Sequence, residues 1–128
     1  MFICMPNFQT AWVSNQFQRN PNLETVDIYG DVIGNNCFQN DNKLTTIILR
    51  NASKIVTIAN GTPSNPFVNT PFNGYNSLTG TLYVPQAQLA NYQADSKWKT
   101  LIDSGTMTIL PIEGSIYETQ YADGTPIT

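Results

Sequence analysis

A spacing of apolar residues that recurs at a fixed interval constrains this chain more than any other feature. Phe17, Leu23, Val26 and Ile28 reappear as Phe38, Leu44, Ile47 and Leu49, each displaced by the same 21 positions. The polar filler matches in kind, with Gln39-Asn40-Asp41-Asn42-Lys43 standing where Gln18-Arg19-Asn20-Pro21-Asn22 stood. A looser third copy runs from Phe72 through Leu78 to Leu82 and Val84, with one additional residue before the strand. Phe2 and Cys4, at a similar distance before Val26 and Ile28, mark a fragment of an earlier one. Repetition at such a period is the sequence sign of stacked units, none of which buries its apolar face alone.

Within a unit, alternation places Val26 and Ile28 on one face of a strand and Thr25, Asp27 and Tyr29 on the other. Thr46 to Arg50 and Thr81 to Val84 repeat the pattern, and Val32-Ile33 and Ile55 to Ile58 supply a second apolar wall. Strands are therefore expected near 2–5, 25–29, 46–50 and 81–84, stacked in parallel across residues 1–84. The turn-rich segment from Gly61 to Gly74 reads as an ordered insertion pinned by Phe67 and Phe72. After Val84 the period changes. Pro85 suits an early helical position, Leu89 and Tyr92 share a helix face, and Ser96 is the expected N-cap of a second helix carrying Trp98, Leu101 and Ile102. Residues 85–112 thus form a helical cap that ends in a strand at Met107 to Leu110, and the tail 113–128 has little to bury.

The cap residues carry a resemblance. Gly80 to Pro85, then Leu89 to Tyr92, then Lys97-Trp98-Lys99 and finally Ile109 to Ile112 closely resemble the C-terminal end of BspA-type leucine-rich-repeat proteins, which are surface proteins of gut and oral bacteria. Similar ends occur in proteins encoded by gut phages and prophages. The resemblance covers residues 17 to 112. It implies an α/β repeat fold: a short leucine-rich-repeat-like right-handed solenoid with parallel strands and a C-terminal helical cap. It further implies a non-catalytic extracellular module for adhesion or protein binding, at the surface of a bacterium or, alternatively, as a structural or host-recognition part of a virion. No catalytic residue and no cofactor are carried over.

Chemistry-bearing residues are sparse. The chain has no His, which removes the Ser–His and Cys–His nucleophile arrangements and the commonest transition-metal ligand. Glu24, Asp27 and Asp31 form the only dense acidic group, and their positions before, on and after a strand read as solvated surface rather than a metal or catalytic site. Six scattered Lys and Arg against nine acids argue against nucleic acid. No apolar run reaches the ~18 residues of a membrane span, and Met1 to Met5 does not read as a signal peptide. Cys4 and Cys37, in apolar settings, are expected as free thiols. Asn51-Ala52-Ser53 and Asn60-Gly61-Thr62 match the glycosylation pattern without weight in so Asn-rich a chain.

The surface best suited to binding is the outward strand face, carrying Asp27, Tyr29, Ile48, Arg50 and Tyr83. Exposed Tyr, Arg and Ile in one patch suit a protein or surface-glycan ligand. At the other end no cap precedes Phe2 to Met5, so self-association or an upstream domain is expected to cover that strand.

Overall fold

The computed structural model describes residues 2–5, 11–12, 17–59 and 63–127, with backbone alone for the first two segments. It is a small α/β domain with parallel sheets and two helices. Strands β1 (Phe2–Met5), β3 (Thr25–Ile28), β5 (Thr46–Leu49), β7 (Gly80–Val84) and β8 (Met107–Pro111) form one five-stranded sheet in that order. The two-residue strands β2 (Ala11–Trp12), β4 (Val32–Ile33) and β6 (Thr57–Ile58) form a second. Every pairing between these strands is parallel.

The offset read from the sequence appears directly in the ladder, where Thr25 to Ile28 pair with Thr46 to Leu49 in order. Val26 and Ile28, Ile47 and Leu49, and Leu82 and Val84 all point into a core that Ile33, Val56 and Ile58 of the second wall close. The expected first copy needs correction by one residue. Ile3 and Met5, not Phe2 and Cys4, lie in register with Val26 and Ile28, and a slip of one exchanges the two faces of a strand.

A second correction concerns the third unit. Phe17 stacks on Phe38 at 5.6 Å and Phe38 on Phe67 at 6.0 Å, with nearly parallel rings. Main-chain bonds follow the same order: Phe17 N–H donates to Cys37 O and Phe38 N–H to Pro66 O, both at 2.9 Å, while Arg19 and Asn40 donate to Gln39 O and Val68 O at 2.8 Å. Two residues after each Phe, the backbone of Arg19, Asn40 and Asn69 is left-handed, with φ of 63°, 65° and 59°. Asn adopts that conformation more readily than most residues, which accounts for its use at two of the three positions. The third member of the series is therefore Phe67. Phe72 fills the interior beside it, 5.5 Å away, against Gly80, where a Cβ would meet the ring at 2.5 Å. Cys37 is buried and in no disulfide; the Cys4 thiol and Asn60 to Thr62 lie outside the described residues.

Helices α1 (Leu89–Ala94) and α2 (Ser96–Asp103) close the second sheet at its β6 edge. The N-cap of α2 is Asp95 rather than Ser96. Its carboxylate accepts from Lys97 N–H at 3.2 Å and Trp98 N–H at 3.1 Å, which a neighbouring carboxylate does better than a hydroxyl because it adds charge at the helix start. Buried Tyr92 and Trp98 meet edge to face at 5.7 Å and divide one residue between them. Val56 N–H donates to the Tyr92 hydroxyl at 2.8 Å, and the Trp98 indole N–H donates to Val56 O at 2.7 Å. Lys97 Nζ donates to Ile58 O and Ala59 O at 2.9 Å, and Gln88 Nε2 to Ala52 O at the same distance. Side chains thus take the place of the strand that would otherwise continue the sheet.

Removing either ring's polar atom should orphan one backbone group of Val56. Tyr92→Phe and Trp98→Phe are each expected to lower unfolding free energy by about 1–3 kcal/mol. The double variant should cost less than the sum, because both act on the same residue and the two rings touch each other. Urea midpoints of the four proteins measure this, and unchanged midpoints would refute the edge-sealing role.

Candidate functional site

Strand register sets Asp27, Ile48 and Tyr83 abreast on the face turned away from the core, with Thr25, Thr46 and Thr81 two residues before them. Arg50 follows β5 and its N–H donates to Ile28 O at 3.1 Å, which holds it one step beyond Asp27. Tyr29 stands half-buried at the end of β3. The structure therefore brings together the residues that the sequence grouped. Their exposure differs from the expectation: Asp27 is 1% exposed and Ile48 is fully buried.

The cause is the segment after β8, which was expected to have little to bury. Ser115 N–H closes a turn onto Ile112 O at 3.0 Å, with Gly114 at φ 88°, and the chain runs back over the face. A one-turn 3-10 helix at Ile116–Glu118 follows, then a tight loop in which Gln120 bridges Pro126. Arg50 binds this segment and the sheet together. Its Nε and Nη2 donate to the two carboxylate oxygens of Asp27 at 2.7 and 2.8 Å. Its Nη1 donates to Tyr117 O at 2.7 Å, and Nη2 also to Gln120 O at 2.8 Å. The guanidinium lies 4.8 Å from the Tyr121 ring centre. Ala122 N–H donates to Asp27 Oδ2 at 2.7 Å, and the Tyr117 ring meets Tyr83 edge-on at 5.0 Å. Burial, followed by the neighbouring Tyr83 and Asp27, pushes the Tyr117 phenol above its ordinary value, against the pull of Arg50.

Of the acidic group, Glu24 is exposed at the strand entrance as expected, but Asp27 and Asp31 are engaged within the fold. Asp27 has a bidentate partner, and Asp31 accepts from Asn51 Nδ2 at 3.1 Å and pairs with Lys54 at 3.2 Å. Asn51, 2% exposed, also donates to Gly30 O at 3.2 Å, so its amide nitrogen is occupied within the fold and not presented for a glycan. Among the described residues no three His, Cys, Asp or Glu side chains gather as for a metal ion. A cleft of about 290 Å³ lies between Arg50, Ala52, Pro85, Ile112, Glu118 and Ile127, where the returning segment leaves the sheet. The sequence signals for this arrangement are Tyr117 and Tyr121, two large aromatics in an otherwise polar stretch.

Asp41 is the other polar group the sequence reading passed over. Fully buried, it accepts from Asn20 N–H through Oδ1 at 2.6 Å, while Oδ2 has no partner among the described residues. Burial raises its pKa from 3.8 to about 7, opposed by the Asn20 N–H.

Comparison of the chain with protein-family models, with curated proteins and with solved structures returns no match.

Arg50→Ala leaves Asp27 charged and unpaired, and is expected to cost about 3–5 kcal/mol in denaturant unfolding. Lys99→Ala, which removes the exposed i,i+4 pair with Asp103, should cost under about 0.5 kcal/mol. Equal effects would show Arg50 to be a surface residue. For Asp41, the folded state holds a proton more tightly than the unfolded one, so its contribution to stability is greatest at low pH and declines between about pH 4 and 7. Asp41→Asn should raise the melting temperature at pH 8 and flatten that decline relative to the unchanged protein. A parallel pH profile in both proteins would remove Asp41 as its source.

Proposed function

We propose that this chain is a non-catalytic binding module, the C-terminal end of a leucine-rich-repeat-like right-handed solenoid of the BspA type, displayed outside the cytoplasm at a bacterial surface. The observation that carries the reading is the in-register stacking of repeat units, Thr25 beside Thr46 beside Thr81, with one end sealed by side chains of the helices. Stacked units of this kind present extended surface rather than an enclosed pocket, and extended surface serves recognition of macromolecules. Two of the three acids in the dense group are held by structural partners, Asp27 by Arg50 and Asp31 by Lys54. Exposed apolar side chains remain at the margin of the covered face, where Leu110 is 40% and Ile116 70% exposed, and such groups are those a protein partner covers.

The test is direct. Fluorescently labelled protein is expected to bind bacterial or epithelial cells saturably, to be displaced by unlabelled chain, and to lose its binding after the cells are treated with protease. Absence of saturable binding to either cell type would overturn the proposal. Binding that survives protease but not glycosidase would move the ligand from protein to glycan.

A further inference from the structure

We propose that Asp27, Arg50 and Tyr83 form a receptor site for the Tyr117–Ala122 segment of a second copy of this chain, which replaces the molecule's own segment to give a reciprocally exchanged pair. The inference is independent of the adhesion reading.

What these residues grip is mostly main chain. Two guanidinium nitrogens reach the carbonyls of Tyr117 and Gln120, three residues apart, and one carboxylate oxygen takes the N–H of Ala122. Two aromatic rings complete the contact, Tyr117 against Tyr83 and Tyr121 against the guanidinium plane. The receiving groups orient each other independently of the segment, because Asp27 holds Arg50 through both carboxylate oxygens. A site that takes main-chain groups and two rings together suits recognition of a short, folded-back peptide segment.

The segment's attachment is local. Glu118, Thr119 and Gln120 face solvent, so the site supplies most of what holds the segment to the sheet. Its link to β8 is the single turn Ile112 to Ser115, which depends on Gly114 at φ 88° with open space around it. A turn of this form needs glycine at its third position. Any second copy presents the same Asp27, Arg50 and Tyr83, so exchange conserves the contacts made at the site, loses those of the turn, and is governed by concentration and by the ease of opening that turn.

Gly114→Pro provides the test, since proline cannot adopt positive φ and the turn cannot close on its own chain. Light scattering should find this variant dimeric at concentrations where the unchanged protein is mainly monomeric, and adding Tyr117→Ala and Tyr121→Ala should return it to monomer. A folded, monomeric Gly114→Pro chain, or a dimer indifferent to the tyrosine changes, overturns the proposal. If Gly114→Pro does not fold, a synthetic peptide of residues 113–127 is titrated onto the full chain carrying Tyr117→Ala and Tyr121→Ala. Saturable binding, weakened at least tenfold when Asp27→Asn and Arg50→Gln are introduced together, supports the site. No binding at millimolar peptide refutes it.

Discussion

Hydrogen bonds that run from one unit to the next, rather than within a unit, are the constraint on which this fold rests. They occur at three places around the core: along the five-stranded sheet, along the short second sheet, and at the corner where Phe17, Phe38 and Phe67 stack. The strand ladder sets a spacing of about 4.8 Å, and the rings, at 5.6 and 6.0 Å, accept nearly the same repeat. An aromatic pair of this kind adds roughly 0.5–1.5 kcal/mol beyond burial. The recurring left-handed residue two positions after each Phe lets the chain leave the corner in the same direction every time. Backbone geometry, ring stacking and sheet register therefore agree, and that agreement selects one arrangement.

A ladder of this kind has open ends, and the two sheets end differently. The second is stopped at β6 by Tyr92, Trp98 and Lys97, which accept and donate where a strand would have done so. The first continues two strands further, through β7 and β8, after which the chain turns back across its outer face. The polar groups on that face are consequently held as an internal network: Asp27, Arg50 and the returning main chain satisfy one another. Burial of that ion pair is tolerable because each group has several partners, which offsets the desolvation of the charges.

Much of this was legible in the residues. Alternation located the strands, the constant offset between the first two full units predicted the Thr25–Thr46 register, and the change of period after Val84 located the helices. The errors share a physical origin, in that one-dimensional spacing does not report what long-range contact covers a residue. Asp27 alternates as an outward residue should and is still buried, because a segment 95 residues away returns to it. Phe72 matched the repeat spacing better than Phe67, but the loop before β7 is elastic in length and three-dimensional stacking chose the other ring. Asp95 outcompeted Ser96 as a cap by one position, a distinction that only the path of the chain decides.

Pairing between neighbouring strands is uniform although the chain that joins them is not: Phe2 lies beside Thr25, Thr25 beside Thr46, Thr46 beside Thr81, and Gly80 beside Met107. All variation in length is absorbed outside the strands, and most of it falls in the long stretch between β5 and β7. Loop closure grows only slowly more costly with length, so residues added at the corners burden the fold little. The stretch between β5 and β7 even returns Phe67 and Phe72 to the core, so added length there supplies packing as well as surface while the spacing of the frame stays constant.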